Sequence, residues 1–309
     1  MDAPGWLDDL DLSVDGPPWL GMGVRRAEAD AWLLVDERRA DDLAERARLL
    51  AVHRDEVVHL GPGTERAGAE VLTLVDAWLT AHGVDASSDP ARGRDTSSAD
   101  APAGEHPLVT AARRVQEDLC VMVPRPTRDG AVRHHLDAAV VCFPSHWRLA
   151  DKAGRPAALV HGPVPAYAEH LADRVDRYLD RLRPGMIGVR RNWSVHETPA
   201  LFAPTAPPVP DLSVPPPALW LRSERQTLRR LDTDAAVLFT IRVQQVPFAV
   251  LAGRADVAAA FAARLRAQPP EVSAMNGLDG RVEAVAAWLD QAAGGHGSAD
   301  VVDRSPPGR

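Results

Sequence analysis

The chain has 309 residues, 45% of them hydrophobic and 25% charged, enough to bury one large core or two small ones. Its formal charge is −8, and its arginines are interleaved with acids, as in Asp173-Arg174-Val175-Asp176-Arg177; without a basic stripe, no nucleic-acid partner is expected. No run approaches the roughly 20 apolar residues that cross a bilayer, and Met1-Asp2-Ala3-Pro4 leads no basic segment into an apolar one, so no membrane partner and a cytoplasmic location are expected.

Residues 1–31 read as an N-terminal extension and 32–84 as the helical part of a core domain. The first predicted helix runs from Asp36 to His53, with Ala40, Leu43, Ala44, Ala47, Leu50 and Ala51 making one apolar face. A second follows Thr64, a predicted N-cap, turns Val71, Leu74, Val75, Trp78 and Leu79 inward, and stops at Gly83. Asp85 to Glu105 is Ser, Asp, Ala, Gly and Pro with almost no large apolar residue, and is expected to be a disordered insertion.

Residues 106–293 read as the rest of the core with its C-terminal helices. A short helix over Pro107 to Gln116 precedes two apolar runs, Leu119 to Val123 and Ala138 to Phe143, which suit buried strands. Pro163-Val164-Pro165 opens a helix with Tyr167, Leu171, Val175, Tyr178, Leu179 and Leu182 on one face, ended by Pro184-Gly185. Met186 to Ser194, Ala218 to Arg222 and Ala236 to Val243 are further strands, followed by helices over Ala255 to Ala267 and Gly280 to Ala293. Ala203 to Pro217 is a proline-rich connection, and residues 294–309 form a polar tail, expected to be disordered. The class implied is α/β, an antiparallel or mixed sheet with flanking helices. Cys120 and Cys142 sit in apolar runs as expected buried thiols, and two thiols fall short of the four that an iron–sulfur cluster takes.

Chemistry concentrates between Val115 and Leu251. His161, in Leu159-Val160-His161-Gly162-Pro163-Val164-Pro165, is an imidazole beside rigid prolines that could be aimed at a metal or haem iron; a capping or core histidine is the plainer alternative. Arg222-Ser223-Glu224-Arg225-Gln226-Thr227-Leu228-Arg229-Arg230 brings guanidinium groups to a strand end, where they could grip carboxylates such as haem propionates or simply start a salt-bridged helix. Arg242 closes the apolar run Val237-Leu238-Phe239-Thr240-Ile241 and should meet an anion, either a ligand or a structural acid such as Glu224. In Asn192-Trp193-Ser194-Val195-His196-Glu197, strand alternation lets at most one of His196 and Glu197 enter a given pocket. The chain has no Cys-x-x-Cys-His, Walker A loop, Gly-x-Gly-x-x-Gly, Gly-x-Ser-x-Gly or His-Glu-x-x-His.

Four ordered blocks, Val115 to Cys120, Cys142 to Trp147, Val160 to Pro165 and Arg222 to Leu228, resemble the haem-dependent oxidative N-demethylase family, with similarity spanning roughly Trp32 to Leu251. The resemblance implies a PAS-like α/β domain that binds haem b and oxidises the N-methyl group of a small, dimethylamine-like secondary amine. It would use O2, take its electrons from separate flavin and iron–sulfur reductase subunits, and release formaldehyde. It raises His161 to the axial iron ligand, with His146 and His196 as competitors, and makes Arg222, Arg225, Arg242 and Trp147 cofactor contacts. Glu224 and His196 are then the catalytic candidates. A non-catalytic haem or small-molecule module, and a structural protein whose polar clusters are internal salt bridges, are the alternatives.

Overall fold

The structure is a computed structural model that describes residues 3–14, 23–85, 104–127, 130–157, 168–207 and 209–294, with the backbone alone over 168–173. Its centre is one seven-stranded sheet, every neighbouring pair antiparallel. The strands are β1 (Arg25–Ala27), β2 (Val58–Leu60), β3 (Asp118–Pro126), β4 (Val132–Val140), β5 (Ile187–His196), β6 (Trp220–Arg230) and β7 (Val237–Pro247), in the order β1-β5-β6-β7-β3-β4-β2. The expected sheet with flanking helices is therefore present, in its antiparallel form.

Helices α1 (Arg39–Val52), α2 (Arg54–Val57), α3 (Glu65–Ala81) and α4 (Pro107–Ala112) lie in the N-terminal half. Their apolar faces bury Leu49, Leu50, Val71, Val75, Leu79 and Leu108 against Leu119, Val121, Ala138, Val140 and Leu238 of the sheet. Helix α5 (Ala168–Arg181) crosses between β4 and β5 and sets Val175 and Leu179 among Cys120, Met122, Leu136 and Ala139, making a second core. Helices α6 (Ala255–Ala267), α7 (Pro270–Met275) and α8 (Val282–Gly294) follow β7. Phe261, Leu265, Val285 and Leu289 from α6 and α8 close a third core with Trp193, Val195, Leu221 and the N-terminal Leu7 and Leu10. Burying each such side chain stabilises by roughly 1.5–3 kcal/mol, which is why these apolar faces were legible as helices.

Several boundaries differ from expectation for physical reasons. Thr64 does precede α3, but its hydroxyl donates to the carbonyl of Gly61 (2.7 Å) and makes no capping bond. Strand β4 stops at Val140 because the carboxylate of Asp118 takes the amides of Cys142 (2.8 Å) and Phe143 (3.0 Å), which leave the ladder. Strand β6 runs on through Arg230, eight residues past the apolar stretch that announced it, because its polar side chains are all engaged on one face or the other. Helix α7 and the three-residue strands β1 and β2 have no sequence expectation behind them. Most of the polar insertion lies outside the described residues, as do the tail from 295 onward, His161 and Pro163-Val164-Pro165. Glu105, at the insertion's end, is ordered, its buried carboxylate paired with Arg113 (2.9 Å) and Arg54 (3.2 Å). Cys120 and Cys142 are free and buried, as expected.

Candidate active site

Strand alternation divides the expected site residues between the two faces of β5, β6 and β7. Residues paired in register share a face. Arg190 pairs with Gln226, Asn192 with Glu224, Ser194 with Arg222 and His196 with Trp220, so these eight lie on one side. Arg191 pairs with Arg225, and Arg225 with Arg242, placing three arginines abreast on the other. The structure thus brings Glu224, Arg222 and His196 together and separates them from Arg225 and Arg242.

The arginine row lies between the first and third apolar cores, under the irregular segment that joins β1 to α1. A buried irregular segment needs partners for its backbone, and the sheet supplies them. Arg225 donates to the carbonyl of Ala31, Thr227 to that of Trp32 (3.2 Å), and Glu117 and Gln116 accept from the amides of Leu34 (2.8 Å) and Asp36 (3.2 Å). Arg242 meets the anions its position demanded, Asp36 at 2.6 Å and Asp42 at 3.1 Å, and not Glu224. Burial works against the Asp36 carboxylate, yet Arg242 and the Gln116 and Gln244 amides outweigh it and hold its pKa below the ordinary value. Arg191 donates to Ser223 (3.1 Å) and Gln244 (3.0 Å) and lies 3.6 Å from Asp9.

On the opposite face Arg222 is fully buried. It donates to the carbonyls of Phe143 (2.7 Å), Pro144 (3.3 Å), Ala200 (3.1 Å) and Leu201 (3.0 Å), tying the loop after β4 to the loop after β5. Burial lowers its pKa to about 10 against the opposing pull of Glu224 and Asp118, which leaves it a cation at any ordinary pH. The first of the two loops then carries His146 in a left-handed conformation (φ 60°), its amide bonded to the carbonyl of Ala203 (2.7 Å). A histidine seldom adopts this backbone without a constraint, and such constraints gather at functional sites.

His146 stacks on His196 with ring centroids 4.1 Å apart. Burial first, and then the Arg222 charge, push both imidazoles toward their neutral form, His196 down to about 2. Its Nε2 lies 3.0 Å from the hydroxyl of Ser194. Glu197, its chain neighbour, points elsewhere and binds Arg281 (2.7 Å), so only one of that pair enters the site, as alternation required. Trp147, half-buried, packs between the first and second cores near the same loop.

Glu224 is nearly buried, and one of its oxygens accepts from the amides of Gln226 (2.8 Å) and Asn192 (3.1 Å). Because the Gln226 amide nitrogen is committed to the carboxylate, its oxygen faces away, sealed from solvent and without a partner. Arg190 stands beside Gln226, half-buried, with no hydrogen bond or ion pair among the described residues. Burial lowers its pKa and Glu224 is the charge that opposes this. Sequence reasoning missed Arg190; the signal available was the period-two set Arg190, Asn192, Ser194, His196, which becomes informative only once the strand is known. Gly188 continues that set, and a Cβ there would overlap the hydroxyl of Tyr178, so the glycine is what lets α5 sit against β5.

An uncharged imidazole is the form that ligates iron, and burial holds His146 and His196 in that form, beside a core of Cys120, Met122, Leu228 and Phe239 already packed under α5. These residues fit a haem with a single protein ligand, although no group of three or more metal-binding side chains occurs among the described residues. The described helices include none long and apolar enough to cross a membrane. Residues 23–285 match the model of the family described as haem-dependent oxidative N-demethylase, alpha subunit-like. No curated protein matches the chain.

Proposed function

The chain belongs to the haem-dependent oxidative N-demethylase alpha subunit-like family, and on that premise we propose that it binds haem b on the Glu224 face of the sheet and demethylates a small secondary methylamine there. The order of the five central strands supports the PAS-like reading: numbered along the chain from β3, they lie 2-1-5-4-3, with α5 in the crossover from the second to the third. The observation that carries the functional reading is the convergence on one face of a carboxylate oriented by two amides, a pair of neutral imidazoles and a guanidinium without a partner.

Bound haem supplies oxygen activation and redox chemistry that no side chain can. The overall reaction balances as R–NH–CH3 + O2 + 2 electrons + 2 protons giving R–NH2, formaldehyde and water, with the electrons coming from partner reductase subunits. Glu224 holds the substrate nitrogen. One of its oxygens is fixed by Asn192 and Gln226, and the second accepts an amine N–H. A ring that stays neutral down to about pH 2 is no proton reservoir, so His196 serves to position the Ser194 hydroxyl. Arg222 is a positioning residue that holds His146 against His196. His161 would hold the haem iron, as the resemblance implies, with His146 the described alternative.

The test is the absorption spectrum of the haem-loaded protein titrated with dimethylamine. A Soret band that shifts with amine is expected, and a colourless protein would overturn the reading. His161→Ala should remove or displace the band while His146→Ala does not; the reverse moves the iron to His146. Losing one charge-assisted hydrogen bond of roughly 1.5–3 kcal/mol, Glu224→Gln should weaken amine binding about tenfold to a hundredfold.

A further inference from the structure

Resting on that reading, we propose that the methylamine this site takes also carries a carboxylate, making the substrate an N-methyl α-amino acid, of which N-methylglycine is the smallest. The inference stands on Arg190 and Glu224, which share one face of the sheet. Arg190 and Asn192 are two residues apart on β5, so Arg190 lies about 6.6 Å along the strand from the residue that pairs with Glu224. No acid among the described residues comes within 4.0 Å of its guanidinium, and the residue as a whole is half-buried. Glu224 favours the cation through its charge without touching it, and a cation partly withdrawn from water is stabilised further when a ligand brings an anion into contact.

A simple dialkylammonium supplies none. It would satisfy Glu224 and place a second positive charge near Arg190. An N-methyl amino acid matches both ends of the site. Its ammonium has two N–H donors, and the second oxygen of Glu224 awaits one of them. Its carboxylate meets the guanidinium fork, the bidentate geometry at which arginine excels. Two bonds of about 1.5 Å put the amino nitrogen about 2.5 Å from the carboxyl carbon. With a hydrogen bond of about 2.9 Å at either end, one such molecule can engage two groups on the same face of the sheet at once. Turnover of N-methylglycine with O2, two electrons from the reductase partner and two protons would give glycine, formaldehyde and water.

The experiment follows the Soret band of the full-length, haem-loaded, oxidised protein during titration with dimethylamine, N-ethylmethylamine and N-methylglycine, in the wild type, Arg190→Gln and Arg190→Lys. The wild type is expected to prefer N-methylglycine over either uncharged-tail amine by about tenfold to a hundredfold. Arg190→Gln should abolish that preference, and Arg190→Lys, which keeps the charge and loses the fork, should fall between. The haem-to-protein ratio should stay that of the wild type in both. If the amines shift the band and N-methylglycine binds no better than dimethylamine, the inference falls and the demethylase reading stands. If Arg190→Gln loses haem, Arg190 holds a propionate and the inference falls for that reason. A wild type without a Soret band removes both.

Discussion

Replacing Arg242 with methionine separates a structural role from a cofactor role, because the stem's apolar volume is kept and only the guanidinium goes. The side chains of Arg242 and Asp42 are 1% and 2% exposed, and Asp36 is also largely covered. Without Arg242, Asp36 loses the cation at 2.6 Å, and Asp42 keeps Arg38 at 3.5 Å and the Gln116 amide at 2.8 Å. Breaking a buried pair while leaving its partner behind costs roughly 3–5 kcal/mol, since the remaining carboxylate is desolvated and unmatched. For a domain of this size that corresponds to a fall in Tm of about 6–20 °C. Thermal unfolding followed by circular dichroism reads it, with the haem-to-protein ratio measured at low temperature on the same samples. Neutralising the acids as well, in Arg242→Met/Asp36→Asn/Asp42→Asn, should recover much of the loss, because the penalty belongs to the orphaned charges. An Arg242→Met protein that melts within about 2 °C of the wild type but no longer takes up haem would refute this account and return Arg242 to the cofactor.

Acid should destabilise the protein partly through His196. Its folded pKa, about 2, lies below the ordinary 6.5, so below pH 6.5 the unfolded chain binds a proton that the folded one refuses. Stability should therefore fall by up to about 1.4 kcal/mol per pH unit as pH drops from 6.5, and urea unfolding of His196→Gln should show a shallower pH slope; an unchanged slope would mean that the ring is not sealed. Gly188→Ala should cost about 1–3 kcal/mol by driving a methyl group into the Tyr178 hydroxyl and a Val24 methyl, and Tyr178→Phe in the same chain should restore the part that belongs to the hydroxyl. Equal melting of the single and double variants would show that α5 moves freely off β5.

Elements with a single apolar face were legible in the sequence: α6 begins and ends where the periodicity of Ala255 to Ala267 places it. Elements that present polar groups to two buried faces were not. Strand β6 is the main case, since Arg222, Glu224 and Gln226 face one set of partners and Ser223, Arg225 and Thr227 another, erasing the apolar alternation that marks a strand. Once β6 was cut short at Arg222, the separation of Arg225 from Arg222 could not be seen, and an arginine-rich block looked like one anion grip. The expectation that Arg242 must meet an anion needed only the desolvation cost of a charge. Which acid it meets depends on chain crossing that brings a residue more than 200 positions away, and no local pattern encodes that.

The unit that evolution repeats and the unit that folds do not share a border in this protein. The family match begins at residue 23, yet Trp6 lies over the Arg191 guanidinium and Leu7 and Leu10 are closed into the third core with Trp193, Val195 and Leu221. A chain trimmed to the family border would uncover a contiguous greasy surface on the sheet and remove Asp9, the acid nearest Arg191. Aggregation of such a chain would then report on the missing strap and carry no information about haem.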